Sequence, residues 1–270
     1  MTNPELRNDP WEEALECYKY FADEVITVGK DWPKEFKWDY IGKVFQEGFD
    51  SCSSDWVMRM DIDYFIHEKE KIKLLKLLEK YSDYPAVSFP QYQIFTPHRY
   101  QIKTRICLLF NKKKFGNIKL NGGGDLTLAT LNGKLIEPNK VPMINIPIFQ
   151  YESTFRTKKI LLEDRARFSR AWFRQFNTYQ SRGGPTEEEA YQAWINEIIK
   201  RYPKHSFKLN LDEHPVFIRN KLSTIKEDQF GYDAFGLLNR TKFQKIYLLK
   251  GLREKYINPL IYLPLRDTYK

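Results

Sequence analysis

The sequence predicts an α/β protein, a mixed sheet flanked by helices with a helical extension toward the C-terminal side. Three observations lead there. Helical and extended patterns alternate between residues 10 and 81. An apolar run at 56–60, Trp-Val-Met-Arg-Met, reads as a buried strand that delivers Asp61-Ile62-Asp63. From about residue 157 the extended pattern gives way to basic helical segments. The order helix–strand–helix–strand predicts parallel strands joined by crossover helices. Ligands of such sheets gather at the carboxyl ends of the strands, where Asp31, Asp61 and Asp63 fall.

Taken in order, Asp9-Pro10-Trp11-Glu12 reads as a helix start, with an N-cap acid, proline in the first turn and glutamate three residues after the cap. Trp11, Ala14, Leu15, Tyr18 and Phe21 recur at helical spacing and give that helix one buried face. Residues 23–28 follow as a short strand ended by Gly29, and 30–37 as a loop. Ile41, Val44, Phe45 and Phe49 mark a second helix. Beyond the acid triplet, 68–81 is a lysine-rich amphipathic helix, 86–96 and 100–110 are strands, and Lys112-Lys113-Lys114 is a basic turn. Asn121-Gly122-Gly123-Gly124-Asp125 is a loop that no regular element tolerates. Extended stretches on either side of a Gly133 turn complete a mixed β region.

The helical part opens with a basic segment at 160–176 carrying Phe168, Trp172, Phe173 and Phe176. Gly183-Gly184-Pro185 breaks it, and Thr186 with Glu189 caps another helix running to residue 202. Residues 203–236 read as mostly irregular, and 240–256 as a last basic amphipathic helix. The expected division is a catalytic α/β core at 1–156 with a helical extension at 157–270 packed on it.

Composition bounds the function. At 270 residues, 42% hydrophobic and 16% aromatic, the chain folds around a sizeable core and is not a disordered protein. No apolar run approaches the roughly 18–20 residues that span a bilayer. The N-terminal stretch has no apolar signal core, and Cys17, Cys52 and Cys107 make neither a disulfide framework nor a metal spacing. A cytoplasmic, reducing setting is therefore expected. The net charge of +9 calls for an anionic partner: nucleic acid, an anionic membrane face or a phosphorylated substrate.

Carboxylates at i and i+2 of an extended segment project to one side. Asp61 and Asp63 then repel each other unless a cation sits between or beside them. That makes them a seat for a hard divalent metal holding a phosphate group. The plainer alternative has Asp61 capping a turn and Asp63 paired with Arg59 or a lysine.

The motifs in their order resemble a family 2-type glycosyltransferase of the GT-A fold. DEVITVGKD at 23–31, a spacer helix, and SSDWVMRMDIDYFIHE at 53–68 are similar to that family's nucleotide-holding strand and its Asp-x-Asp strand. Leu6-Arg7-Asn8 resembles the Arg-Asn after the first strand, and residues 146–151 with Arg156 resemble a strand ending in His-Tyr and a downstream arginine. Glu213-His214-Pro215 matches a His-Pro on the C-terminal side. The likeness covers roughly residues 6–220. Three positions depart from it. Little sequence precedes Leu6, so the usual first strand is expected to be short or missing. Tyr64 stands where an acid is common, and Gln150 where histidine is.

The resemblance implies inverting transfer of a sugar from a nucleotide-diphosphate donor to a hydroxyl of a glycan or lipid-linked acceptor. It implies Mn²⁺ or Mg²⁺ on Asp63 and, directly or through water, Asp61, with His214 completing the shell in place of Gln150. Asp31 would face the base or ribose, and Arg7 and Arg156, with Lys158 and Lys159, the donor's phosphates. Asp125, in its glycine loop, would take the acceptor proton, with Glu68 and Glu152 as substitutes, and His67 would stand behind the metal residues. The basic aromatic segments at 165–176 and 240–256 fit either packing on the core, peripheral contact with an anionic membrane, or nucleic acid. No nucleic-acid recognition motif is visible and no such partner is expected. A non-catalytic nucleic-acid-binding protein and a degenerate glycosyltransferase-fold binding module are the alternatives.

Overall fold

The computed structural model describes residues 4–201, 206–237, 249, 251–257 and 260. Helices α1 (Trp11–Phe21) and α2 (Asp39–Ser51) precede short strands β1 (Trp56–Met58) and β2 (Tyr64–Phe65). Helix α3 (Lys71–Lys80) leads into the two long strands β3 (Ala86–Thr96) and β4 (Arg99–Asn111). Strands β5 (Ile118–Lys119), β6 (Thr130–Leu131), β7 (Lys134–Leu135) and β8 (Ile148–Gln150) follow. Then come α4 (Lys158–Phe176), α5 (Glu187–Arg201), β9 (Ser206–Lys208), α6 (Val216–Ser223) and α7 (Phe230–Asp233).

The β3–β4 hairpin is the centre. Only Pro97 and His98 lie between the paired residues Thr96 and Arg99, too short a link for a crossover, so the strands are antiparallel. Three register shifts bend the ribbon. Strands β1 and β9 both pair with β4, at its end and its start; β8 runs parallel to β3, and β2 closes the far edge against β8. The result is a mixed α/β architecture, as expected, with a different topology. The β3–β8 pair is the one parallel pairing among the described strands, and residues 23–28 form no ladder. Strand β9 and helices α6 and α7 occupy a stretch expected to be irregular, so the C-terminal part also contributes to the sheet. Most of the expected 240–256 helix lies outside the described residues.

Alternation along the hairpin gives the sheet two unlike faces. Tyr92, Ile94, Tyr100, Ile102 and Phe149 turn toward Ala14 and Cys17 of α1 and Ile218 and Leu222 of α6. Each such fully buried side chain contributes about 1.5–3 kcal/mol over exposure. Gln91, Gln93, Gln101, Lys103 and Gln150 share the opposite face. Helix α4, begun by the Thr157 side chain accepting from Ile160 N, packs Phe168, Trp172 and Phe176 against Trp32, Phe36 and Trp38. These three aromatics pack on the core, as expected for this segment, while Phe173 stays exposed.

The glycine loop has a packing reason of its own. Gly42 of α2 lies against it so closely that a Cβ would overlap the Leu126 carbonyl oxygen and come within 2.7 Å of Asn121 Cβ. Gly42→Ala is expected to lose about 1–3 kcal/mol in urea unfolding, the cost of overpacking, as the loop is pushed off the helix.

Candidate functional site

The turn from β1 to β2 carries Asp61-Ile62-Asp63 and is held from below. Tyr18 Oη lies 2.5 Å from the Asp61 carbonyl and 2.7 Å from that of Tyr64, and Tyr151 N donates to the Asp63 carbonyl at 2.9 Å. Asp63 points inward, 5% exposed, while Asp61 is half-buried. Among the described residues neither carboxylate accepts a hydrogen bond, and the nearest cation to Asp63 is Arg156 Nη2, 3.9 Å away. Burial first, then the charge of Asp61, pushes the Asp63 carboxyl up from 3.8 to about 7 against the pull of Arg156.

Beneath Asp63 lies a buried ion network. Arg156 donates to Asp9 Oδ1 at 2.9 Å from Nε and 2.6 Å from Nη2, and its Nη1 lies 3.2 Å from Asp164 Oδ2. Arg7 reaches Asp9 at 3.3 Å and Asp164 at 3.1 Å, and Arg167 lies 4.0 Å from Asp164. Burial works against the Arg156 charge, but Asp9, Asp164 and Asp63 outweigh it and raise its pKa. Arg7 goes the other way, lowered by burial and by Arg156. Asp9 is therefore a network member, and α1 starts without any side-chain cap. The expected diphosphate grip by Arg7 and Arg156 does not fit: both guanidinium groups are committed to carboxylates inside the fold.

Two hydrogen-bonded chains cross the polar face of the sheet. Lys103 Nζ donates to Gln150 at 3.5 Å, Gln150 to Gln91 at 2.5 Å, and Gln91 to the Thr104 carbonyl. Gln101 donates to Gln93 at 2.6 Å, and Gln93 to Glu152 at 3.3 Å. Glu152 also takes Arg165 Nη2 at 2.9 Å. Burial would raise the Glu152 carboxyl, but Arg165, Lys103 and Arg156 prevail and hold it at about 2. A cavity of about 220 Å³ reaches Gln91, Thr104, Arg59 and Arg105, but most of its wall is apolar, with Ile106, Phe110, Leu128 and Ile136, and neither Asp61 nor Asp63 lines it.

Asp125 borders that region. Its Oδ1 accepts from Thr127 N at 2.9 Å and Thr127 Oγ1 at 2.8 Å, which leaves the second oxygen open. Its charge reaches Arg182, stacked 4.3 Å from both the Trp38 and Trp172 rings; burial and Arg165 push that guanidinium down to about 10 against Asp125.

Four other expected site residues stand apart. Asp31 is exposed in a left-handed turn (φ 53°) that ends no strand. His214 is fully buried with both ring nitrogens engaged, Nδ1 2.7 Å from Tyr151 Oη and Nε2 2.9 Å from the Pro97 carbonyl, and burial lowers its pKa to about 4. It has no lone pair to give a metal and does not join Asp61 and Asp63. Glu68 is spent on Val216 N at 2.9 Å and on Arg219, at the start of α6. Lys158 lies over the Tyr191 ring at 5.4 Å. The residues that sequence reasoning missed are Asp9, Asp164, Arg165 and the glutamines. The alternation of Gln91, Gln93, Gln101 and Lys103 with apolar residues is the signal that marks a polar sheet face.

Among the described residues no group of three or more His, Cys, Asp or Glu side chains is arranged to hold a metal. The two carboxylates without hydrogen-bond donors nevertheless fit Mg²⁺ or Mn²⁺, which bind through one or two carboxylates and complete their shell with phosphate oxygens and water. Comparison of the chain with protein-family models, with curated proteins and with solved structures finds no match in any of the three. No helix of the described residues is long and apolar enough to cross a membrane.

Two stability measurements follow. Asp9→Ala strands Arg156 and Arg7 in the interior and should cost about 3–5 kcal/mol. Asp61→Asn, which removes a carboxylate that only repels Asp63, should cost nothing or stabilise, and a loss like that of Asp9→Ala would refute this assignment. Glu152 supplies the pH test. Its folded value lies below its ordinary 4.5, so its contribution is present above about 4.5 and lost as pH falls toward about 2. In Glu152→Gln that part of the acid limb of the stability curve should vanish.

Proposed function

We propose that the chain transfers a glycosyl group from a nucleoside-diphosphate sugar to a hydroxyl acceptor, with inversion. The observation that carries the reading is the Asp61–Asp63 pair: two adjoining carboxylates, Asp63 buried and Asp61 half-buried, that repel each other and accept no hydrogen bond among the described residues. Stability alone gives no reason for such a pair, whereas a bound dication and diphosphate do. The order of the sequence motifs supports the same reading.

Asp63 and Asp61 would hold the dication, which when bound neutralises the charge that develops on the departing diphosphate. The Tyr18 and Tyr151 contacts fix the backbone of the triplet, so both carboxylates are positioned before ligand arrives. The cavity of about 220 Å³ falls short of the roughly 300 Å³ typical of a whole small-molecule site, which suits one sugar ring as its occupant. Gln91, Thr104 and Arg59 on its wall supply partners for sugar hydroxyls.

Of the three carboxylates considered for the base, Glu68 is consumed at α6 and Glu152 is held ionised at about 2, too acidic to accept a proton well. Asp125 keeps one oxygen open. It takes the acceptor's O–H proton as that oxygen bonds to the anomeric carbon. The bond from that carbon to the diphosphate breaks on the opposite side.

Calorimetry with nucleoside diphosphates and their sugars, with Mn²⁺ and with chelator, tests this. One nucleotide should bind only with metal, and Asp63→Ala should weaken it by at least about 100-fold. Asp125→Asn should keep that binding and lose about 100-fold or more in transfer rate. Absence of nucleotide binding under every metal condition would remove the enzyme reading.

A further inference from the structure

Helix α3 leaves the site through the short turn after β2 and packs on the core through Leu74, with Leu77 and Leu78 partly buried. Its outer face is unusual. Ile72 is 69% exposed and Leu75 48%, and Lys69, Lys76 and Lys80 stand in the same outward row, all exposed. Among the described residues none of these three lysines pairs with a carboxylate; Lys80 rests over the Tyr81 ring. Two neighbouring acids are already used, Glu68 at α6 and Glu70 by Lys73 at 3.3 Å. Of the acids in this stretch, only Glu79 is left on the exposed side.

The apolar patch continues beyond the helix. Lys71 Nζ donates to the Tyr20 carbonyl at 2.5 Å and sits 4.6 Å over the Tyr20 ring, which lies 5.7 Å from the Phe217 ring. Tyr20 is 43% exposed and Val216 48%, with exposed Lys19 beside Tyr20. Exposed aliphatic tips ringed by unpaired lysines match the requirements of a surface that rests in the headgroup layer. The apolar tips enter the acyl boundary while the ammonium groups stay among phosphates.

We propose that the α3 face, with Tyr20 and Val216, docks on an anionic lipid bilayer. Charge complementarity selects this occupant. Three lysines without anionic partners, on a chain of net charge +9, favour a negative surface, and Ile72 and Leu75 between them favour one with an apolar interior. A nucleic acid would use the charges and leave the two aliphatic side chains in water. Helix α4, the earlier candidate for this role, turns Phe168, Trp172 and Phe176 toward the core. The proposal does not depend on the glycosyl-transfer reading, because docking needs neither nucleotide nor metal.

Flotation of the full chain with vesicles tests it. Vesicles of roughly 30% phosphatidylserine in phosphatidylcholine should carry the protein, and pure phosphatidylcholine should not. Replacing Lys69, Lys76 and Lys80 together by glutamine should reduce the vesicle affinity by on the order of 100-fold. Ile72→Ser with Leu75→Ser should reduce it about tenfold, with an unchanged unfolding midpoint because both side chains are exposed. Failure to float with the anionic vesicles overturns the proposal, as does flotation that the α3 variants leave unchanged. Loss of duplex RNA or DNA binding in the lysine variant, without vesicle binding in the parent, would assign the face to nucleic acid instead.

Discussion

The fold depends on Arg156. Its guanidinium is buried, and it is the point where four separate segments meet: the turn at Arg7–Asp9, the acid triplet through Asp63, the stretch after β8, and α4 through Asp164. A buried charge is tolerated only when its partners surround it, so these segments have to arrive together. Backbone contacts reinforce the junction. Asn8 Nδ2 and Gln229 Nε2 both donate to the Phe155 carbonyl, and Phe230 N donates to that of Arg156. Within the cluster Asp63 is the least satisfied member, at the longest separation from Arg156. The network is loosest where it adjoins the acid pair.

The sheet makes a second compromise. One face is apolar and closed by α1 and α6. The other is lined with amides and charges, yet Gln101 and Gln150 are almost wholly buried. Burying amides costs free energy unless each finds a partner, and here most find one another, while Gln101 Oε1 accepts no hydrogen bond among the described residues. Arg105 is treated alike: it meets the Ser88 and Ile144 carbonyls and, from the C-terminal side, Glu254. An apolar lining would have been simpler and more stable.

Much of this could be read from the residues, and the failures have definite causes. The long strands, α1 to α5, the Thr186–Glu189 capping box and the Gly133 turn follow local pattern, and local pattern was sufficient. Strand direction was not legible. The alternation of helix and strand suggested crossovers, whereas the two-residue link at Pro97-His98 decides the topology and leaves 23–28 without a partner. Asp9 was misread because an acid before Pro-Trp-Glu is a valid cap signal; its true partner, Arg156, lies far along the chain. Asp164 and Arg167 look like solvated charges on a basic helix. His214 before proline looks like a ligand, and its carbonyl and tyrosine partners show only in three dimensions. The Asp61–Asp63 pair was expected from alternation along an extended segment, but the triplet folds into a turn, Tyr64 N donating to the Asp61 carbonyl, and Asp63 is buried more deeply than Asp61.

The amide chains across the sheet have a fixed polarity. An isolated glutamine can turn over and exchange its donor for its acceptor. The chain through Gln150 and Gln91 begins at an ammonium group, which can only donate, and ends at a carbonyl, which can only accept. The chain through Gln101 and Gln93 ends at an ionised carboxylate, again acceptor only. Neither can reverse without breaking its terminal bond. Amides carry no titratable proton, so the second chain loses its direction only where Glu152 takes up a proton, as pH falls toward about 2. The polar face thus carries one fixed arrangement of donors and acceptors, oriented by the charged groups at its ends.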